Sequence, residues 1–253
     1  MKHDKMWAYG ESLMRQLPAL FLIALGAMAQ TPPAKAPAKA PAAPSPNAAP
    51  ATPAREPGLY MIMNTSMGTM TARLFEKEAP GTVANFVALA RGTKSFKDAS
   101  GAMVKRPYFN NLLFHRVIPD FMIQTGDQTG TGGGDCGFTI KDEIVPTLKY
   151  DKPGMLGLAR LQARDTGACQ FFITEKPYPS LTGEYTIFGE LVEGQDIVGK
   201  IARVPRDASD KPRTAVKLIS VTIKREGPPP AGAAAPAKKA AAPAPKTAAP
   251  AKK

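Results

Sequence analysis

The segment from Phe114 to Asp127 carries the residues of this chain best suited to chemistry on a ligand. Its sequence, FHRVIPDFMIQTGD, sets Arg116 and Gln124 among apolar side chains that include Phe121 and Met122. An arginine does not deprotonate in a protein, so Arg116 is no general base, and no nucleophile stands beside it. A fixed guanidinium beside an apolar wall can instead hold an apolar ring and donate hydrogen bonds to a peptide. Such a site suits rotation about the peptide bond that precedes a proline.

Five further segments accompany this run in a fixed order along the chain. They are PGTVANF at 80–86, GTGGG at 130–134, PGMLGLAR at 153–160, QFFIT at 170–174 and TIFGELVEG at 186–194. Together the six segments resemble, in order, the motifs of the cyclophilins, a family of peptidyl-prolyl cis-trans isomerases. One short motif is weak support, whereas six in order indicate a whole domain, over about residues 58–226.

The resemblance implies a catalytic role for Arg116. Rotation about a peptide bond has a barrier of about 18–20 kcal/mol, and the twisted amide nitrogen regains a lone pair that accepts a hydrogen bond. Arg116 would donate to that nitrogen, and Gln124 would hydrogen-bond the substrate backbone. A structural ion pair is the alternative interpretation of Arg116.

The resemblance also implies an apolar pocket for the proline ring. Its members would be Phe121, Met122, Phe172 and Leu181. Ordinary core packing is the alternative for Phe121, Met122 and Phe172, because such side chains are usually buried.

Three further positions border the predicted pocket. Ala159 and Arg160 would line the neighbouring groove that holds the residues before the proline. Tyr185 stands where many eukaryotic members carry His, and Ser180 where they carry Trp. Tyrosine keeps a ring and a polar tip, whereas serine removes a wall at the rim. The resemblance together with these two departures therefore predicts an active enzyme with low sensitivity to cyclosporin.

The two cysteines, Cys136 and Cys169, fall in regions that border one groove in the family, so a disulfide between them is one interpretation. Two separate thiols are the other, because spacing alone does not establish a bridge. Apart from His3 near the start, His115 is the only histidine, and no Cys/His cluster occurs. We therefore expect no metal site, and the resemblance implies no cofactor.

The periodicity of the chain indicates a mainly β domain with two helices. We predict a hairpin over 59–65 and 69–74, helices over 80–91 and 195–204, and a closing strand over 216–224. Short strands are predicted at 113–117, 121–124, 155–159, 171–174 and 186–191. The resemblance implies a closed eight-stranded antiparallel β-barrel capped by two α-helices.

The first 29 residues read as a signal peptide. An apolar run from Leu17 to Met28 follows Arg15, and the small-residue pattern AMA precedes Gln30. The run is shorter than the roughly 20 residues that span a bilayer, so removal is expected rather than anchoring. A signal peptide that starts at Met14 would fit this pattern better than one that starts at Met1. We expect an exported protein, either periplasmic or secreted.

The segments 30–57 and 227–253 consist almost entirely of Ala, Pro and Lys, a composition that predicts disorder. They also hold much of the net charge of +12, since residues 58–226 carry 22 Lys and Arg against 18 Asp and Glu. A folded domain that binds nucleic acid usually presents a basic face with interleaved aromatics, so we expect no nucleic-acid partner. Weak contact of the basic tails with an anionic envelope remains open.

Three function classes are therefore considered. The first is an exported, monomeric prolyl isomerase that acts on proline-containing polypeptides during folding. The second is a proline-binding chaperone, or holdase, in which turnover is incidental. The third is a binding module tethered to the envelope by its tails.

Deleting residues 227–253 should leave both folding and peptide turnover nearly unchanged, because this segment has no large apolar side chains to bury. Thermal denaturation and a peptide isomerisation assay on the shortened protein measure this. A large drop in melting temperature would mean that the tail packs on the domain and that the boundary at 227 is wrong.

Overall fold

The structure is a computed structural model and describes residues 55–228. The predicted signal peptide lies outside the described residues, as do nearly all of the predicted Ala/Pro-rich linker and of the Ala/Pro/Lys-rich tail. Within the described part, no helix has the length and apolar character needed to cross a membrane.

Eleven strands and two α-helices make up the domain. The strands are β1 (Gly58–Thr65), β2 (Gly68–Leu74), β3 (Phe96–Lys97), β4 (Met103–Val104), β5 (Leu112–Leu113), β6 (Arg116–Ile118), β7 (Met122–Thr125), β8 (Met155–Leu158), β9 (Phe171–Thr174), β10 (Ile187–Glu193) and β11 (Lys217–Glu226). The helices are α1 (Pro80–Ala90) and α2 (Gln195–Ala202), and one 3-10 turn covers Pro179–Leu181.

Nine strands form one antiparallel sheet in the order β5-β11-β1-β2-β10-β8-β9-β7-β6, and β3 pairs with β4 separately. The two outermost strands, β5 and β6, are separated in sequence by only Phe114 and His115. Three peptide units span at most about 10 Å, so the sheet must curl until its two edges approach each other.

A mainly β domain with two helices is confirmed, but the main sheet has nine strands where eight were predicted. The predicted strand at 113–117 is two strands, because the chain changes partners there. β5 pairs with β11 and β6 with β7, and the Phe114 N–H donates to the Val216 carbonyl at 3.0 Å. No ladder joins β5 to β6 within residues 55–228, so closure of the barrel stays a prediction.

Strand β9 separates two apolar clusters. All four of its residues are buried, and their side chains alternate between faces. Phe171 packs in the main core near Phe86, with ring centroids 5.6 Å apart. Phe172 belongs to a second cluster with Met122 and Tyr150. This second cluster lies beneath the candidate site.

Helix α1 begins with Pro80 in its first turn, where the missing N–H costs nothing. The Glu143 carboxylate accepts hydrogen bonds from the backbone N–H groups of Gly81, at 2.9 Å, and Thr82, at 2.7 Å. The helix ends before Gly92, whose φ of 67° suits a glycine. A loop residue 61 positions beyond Thr82 thus fixes the start of the helix that covers the main core.

Candidate active site

The candidate site is built on a row of four residues that face one another across β6, β7, β9 and β8. Arg116 is the register partner of Gln124, Gln124 of Phe172, and Phe172 of Gly157. Directly opposed residues of an antiparallel sheet project from the same face. Met122, two residues before Gln124, shares that face. Strand register alone therefore brings a guanidinium, an amide and two apolar side chains together.

The apolar floor of the site consists of Met122 and Phe172, which are 2% and 6% exposed. The Phe172 ring lies over Gly157, where a β-carbon would collide with it, and stacks near Tyr150 at 5.8 Å. Gly157 thus leaves the space that the ring occupies.

Phe121 forms a wall of the site at the turn between β6 and β7. Its N–H donates to the Ile118 carbonyl at 3.2 Å, and its carbonyl accepts the Glu175 N–H at 2.8 Å. Leu181, at the end of the 3-10 turn, packs against the same second cluster.

All nine predicted site residues line one open groove of about 310 Å3. They are Arg116, Phe121, Met122, Gln124, Ala159, Arg160, Phe172, Leu181 and Tyr185. Four lining residues were not predicted: His115, Thr131, Gly132 and Ser209. The first three lie in segments already singled out, whereas Ser209 comes from the loop after α2 and carries no signal in the sequence.

Arg116 is the exposed cation of the groove. Its side chain is 45% exposed, and its Nε lies 3.8 Å from Oδ2 of Asp210. The other oxygen of that carboxylate accepts a shorter hydrogen bond, of 3.0 Å, from Arg206 Nε. A loose, exposed ion pair contributes little to stability. The guanidinium is therefore oriented by Asp210 and keeps donors available to a ligand.

Gln124 is held by a second amide. Its Nε2 donates to Oε1 of Gln170 at 3.0 Å, and Gln170 Nε2 in turn donates to the carbonyls of Gly132 and Gly134, both at 3.0 Å. Because the Gln124 amide nitrogen is engaged with Gln170, its oxygen remains available to accept a hydrogen bond from a ligand N–H.

Arg160 lines the groove, but its charge is directed into the protein. Its side chain is 5% exposed, and its Nε lies 3.2 Å from Oδ2 of Asp142, which is 4% exposed. The guanidinium also lies 4.8 Å from the ring centre of Tyr185 and donates to the Glu184 carbonyl at 2.8 Å. Arg160 therefore anchors the loop that presents Ala159, and it holds Tyr185 beside Phe172.

His115 is a buried lining residue whose two ring nitrogens have no hydrogen-bond partner among residues 55–228. Burial lowers the pKa of His115, and the nearby Lys211 and Arg116 lower it further, whereas Asp127 raises it. The imidazole is therefore neutral near pH 7, so His115 adds no positive charge next to Arg116 in the groove wall.

The glycine-rich segment 130–134 wraps around the buried carboxylate of Asp127. This carboxylate accepts backbone N–H bonds from Thr129 at 2.7 Å, Thr131 at 3.0 Å and Gly132 at 2.6 Å. Burial raises the pKa of Asp127, but the hydrogen bonds from Thr129 and the glycine N–H groups outweigh it, so the pKa lies below the usual value. The charge of Asp127 thus shapes the loop that borders Gln124 and Gln170.

Replacing Asp127 by asparagine should destabilise the protein by about 2 kcal/mol at pH 7. The side-chain NH2 group of asparagine would face the backbone N–H donors of the loop and could not accept their hydrogen bonds. Because the pKa of Asp127 is lower in the folded protein, the charged carboxylate stabilises the fold fully at pH values above its ordinary pKa of 3.8. This stabilisation is lost as the pH falls through the folded-state pKa. The difference in the free energy of unfolding between wild type and Asp127→Asn, measured by urea denaturation, should therefore be smaller at pH 3 than at pH 7.

Asp151 provides the control for this experiment, because its side chain is exposed and makes no ion pair within the described residues. Asp151→Asn should leave the free energy of unfolding nearly unchanged at both pH values. A gap between wild type and Asp127→Asn of the same size at pH 3 and pH 7 would contradict the assignment.

The structure joins Cys136 and Cys169 in a disulfide, with Cα atoms 6.4 Å apart. Cys136 follows the glycine-rich segment, and Cys169 directly precedes Gln170. No group of three or more metal-binding side chains occurs in the part of the chain that the structure describes.

Ser180 lies exposed in the 3-10 turn and does not line the groove. Two residues earlier, the Tyr178 ring packs against Phe121, with ring centroids 4.3 Å apart. In this segment the side chain in contact with Phe121 is therefore the Tyr178 ring, which does not line the groove either.

The curled antiparallel sheet and its groove belong to a known class of non-covalent isomerases. The family model for cyclophilin-type peptidyl-prolyl cis-trans isomerases matches residues 60–223. The chain therefore belongs to the cyclophilin family and is a peptidyl-prolyl cis-trans isomerase by that membership.

Individual relatives agree with the family assignment. Peptidyl-prolyl cis-trans isomerase A of Mycobacterium tuberculosis is 43% identical over 165 residues, which are 64% of this chain and 90% of that protein. Peptidyl-prolyl cis-trans isomerase-like 1 of Aspergillus fumigatus is 39% identical over 170 residues, 66% of this chain and 96% of that protein. A Cryptosporidium parvum cyclophilin, crystallised in the presence of the dipeptide Ala-Pro, superposes with a TM-score of 0.57 at 36% identity and covers 65% of this chain and 98% of its own.

Proposed function

We propose that this protein rotates the peptide bond before proline in polypeptide substrates, with Arg116 as the catalytic residue. The observation that carries the proposal is the row across four strands. It sets the exposed, loosely paired Arg116 beside Gln124 and above the floor of Met122 and Phe172. The Ala-Pro dipeptide named with the Cryptosporidium relative supports the same substrate class.

The mechanism uses binding alone. The proline ring enters the pocket of Phe121, Met122, Phe172 and Leu181. As the amide twists, its nitrogen becomes a hydrogen-bond acceptor, and an N–H of Arg116 donates to it while the planar fork also holds a substrate carbonyl. A preorganised donor of this kind lowers a barrier by about 3–4 kcal/mol in comparable sites.

Gln124 and Ala159 hold the peptide on either side of the reacting bond. The free oxygen of Gln124 accepts a substrate N–H, and Ala159 borders the groove that receives the residues before the proline. Arg160 contributes by anchoring this border through Asp142 rather than by touching substrate. Tyr185 closes the pocket edge-on against Phe172, at 5.6 Å between ring centres.

The protein acts, in this proposal, as an exported monomer that assists folding outside the cytoplasm. The leader pattern before Gln30 supports export, as does a disulfide, which persists in oxidising compartments. Uncatalysed isomerisation at proline takes tens of seconds, long enough to limit folding there. The lysines of the tails add a weak, salt-sensitive contact with anionic envelope polymers. Cell fractionation at low and high salt tests both parts.

A protease-coupled assay with a chromogenic peptide containing Ala-Pro-Phe tests the activity. The purified protein should raise the cis-to-trans rate in proportion to its concentration, and Arg116→Ala should not. If the wild type gives no acceleration, the isomerase proposal is wrong. If Arg116→Ala still suppresses the aggregation of unfolded clients as well as the wild type does, holdase activity exists apart from turnover.

A further inference from the structure

We propose that the Cys136–Cys169 disulfide positions Gln170, and through it Gln124, for peptide binding. This inference rests on the proposed function of the groove. It assigns a task to the two cysteines and to Gln170, none of which lines the proposed active-site groove.

The disulfide ties a loop without strand pairing to the start of β9. Residues 126–154, between β7 and β8, belong to no strand, and this segment contains both the glycine-rich run 130–134 and Cys136. Cys169 lies two residues before Phe171, the first residue of β9. Both cysteines are buried, at 1% and 3% exposure. The bond is therefore a fixed link between the glycine-rich loop and a strand of the site.

The side chain of Gln170, next to Cys169, hydrogen-bonds both the glycine-rich loop and β7. Its amide nitrogen donates to the carbonyls of Gly132 and Gly134 on the loop, and its oxygen accepts from Gln124 on β7. One planar amide thus satisfies three partners on two other parts of the chain. Such an arrangement holds only while the loop and β9 keep their spacing, because hydrogen bonds weaken steeply with misalignment.

The backbone at Cys169 and Gln170 is closely packed against Gly126, at the end of β7. A β-carbon on Gly126 would lie only 2.7 Å from the Gln170 Cα, so the end of β7 presses directly on this segment. The Gln170 carbonyl also accepts the Ala159 N–H at 3.0 Å. The segment is therefore fixed between β7 and β8. On the loop side, the Cys136 carbonyl accepts the Lys97 N–H at 2.9 Å, and Asp127 holds the glycines, so opening the disulfide should change the spacing at the Gln170 hydrogen bonds without freeing the whole loop.

A second groove of about 320 Å3 runs along the disulfide and adjoins the first. Both cysteines line it, and it shares Gln124, Gly132, Ala159 and Arg160 with the proposed active site. A loop shift after loss of the bond would therefore act on the side of the site that holds the peptide chain. Arg116 stands on β6, away from the link, so binding should suffer more than the rotation step.

Kinetics on Cys136→Ala/Cys169→Ala test the proposal. We expect KM for the proline peptide to rise about threefold to tenfold, the factor that the loss of one neutral hydrogen bond gives, with kcat changed less than about twofold. Reducing the wild type with a phosphine should produce the same rise. The same reductant should change nothing in the double variant. Melting temperatures of each form, measured alongside, show that the assay is run on folded protein.

Gln170→Ala separates positioning from a general loosening of the fold. With the disulfide intact it should raise KM by a similar factor, and removing the cysteines in that background should add little, because coupled residues are not additive. Gln195→Ala removes a matched glutamine, whose amide donates to the Glu175 carbonyl at 3.1 Å, and should leave KM unchanged.

Three results overturn the proposal: an unchanged KM after the bond is broken, an unchanged KM in Gln170→Ala, or full additivity of the two changes. If the double variant does not fold, reduced wild type and Gln170→Ala decide the question. Absence of turnover in the oxidised wild type is a different result, since it contradicts the proposed isomerase function and not the role of the disulfide in ordering the groove.

Discussion

Arg116→Lys should lower kcat/KM for a proline peptide by about a hundredfold, although the positive charge remains. The lysine ammonium is a point charge and cannot donate to the amide nitrogen while it holds a carbonyl in the same plane. Peptide affinity, measured by titration, should fall much less than kcat, because the apolar pocket of Met122 and Phe172 is untouched. The protease-coupled assay measures turnover directly.

Arg206→Lys is the matched control, because Arg206 donates to the same Asp210 carboxylate but does not line the groove. This control should keep turnover within about twofold of wild type, as expected for a change outside the groove. Near-normal turnover in Arg116→Lys would reduce Arg116 to the ion-pair partner of Asp210, the interpretation that its exposure and the 3.8 Å separation disfavour.

Cyclosporin should inhibit this protein poorly, and Ser180→Trp should partly restore inhibition. In the family a Trp at this position packs against the drug and donates its indole N–H. Burial of a ring-sized apolar surface stabilises a complex by about 1.5–3 kcal/mol, which corresponds to about ten- to more than a hundredfold in affinity. Inhibition constants for the two proteins, obtained with the same peptide, measure the effect.

Ser180→Ala is the control and should leave inhibition weak, because it restores no ring. Turnover of small peptides should be similar in all three proteins, since Ser180 does not line the groove. Tight inhibition of the natural protein would contradict the prediction. It would assign the missing wall to Tyr178, whose ring lies 4.3 Å from that of Phe121.

Local patterns in the sequence predicted the elements whose partners are near in the chain. The first hairpin, predicted over 59–74, forms over Gly58–Leu74, because its alternation and its turn are both local. The first helix was predicted over 80–91 and is found at Pro80–Ala90, with a proline at its start and Gly92 after its end. The pocket residues share a face because Met122 and Gln124 are two apart on one strand.

Features fixed by distant partners could not be read from spacing. The orientation of Arg160 depends on Asp142, on another loop, and no local pattern pairs the two. The division of 113–117 into β5 and β6 depends on β11, about 100 residues further on. The pair β3 and β4 was not predicted, because each strand has only two residues and offers no alternation.

The pairing of β1 with β11 determines how the domain responds to tension. Gly58, the first residue of β1, is the register partner of Glu226, the last residue of β11, and Gly227 lies against Pro57. The chain therefore enters and leaves the domain at the same point, at one end of an antiparallel ladder. A force that pulls the two chain ends apart acts on one hydrogen-bonded pair of this ladder after another, beginning with Gly58 and Glu226. It does not load all the pairs at the same time. When its two chain ends are pulled apart, the domain should therefore open first at the end of the β1–β11 ladder, far from the strands β6, β7 and β9 that carry the groove.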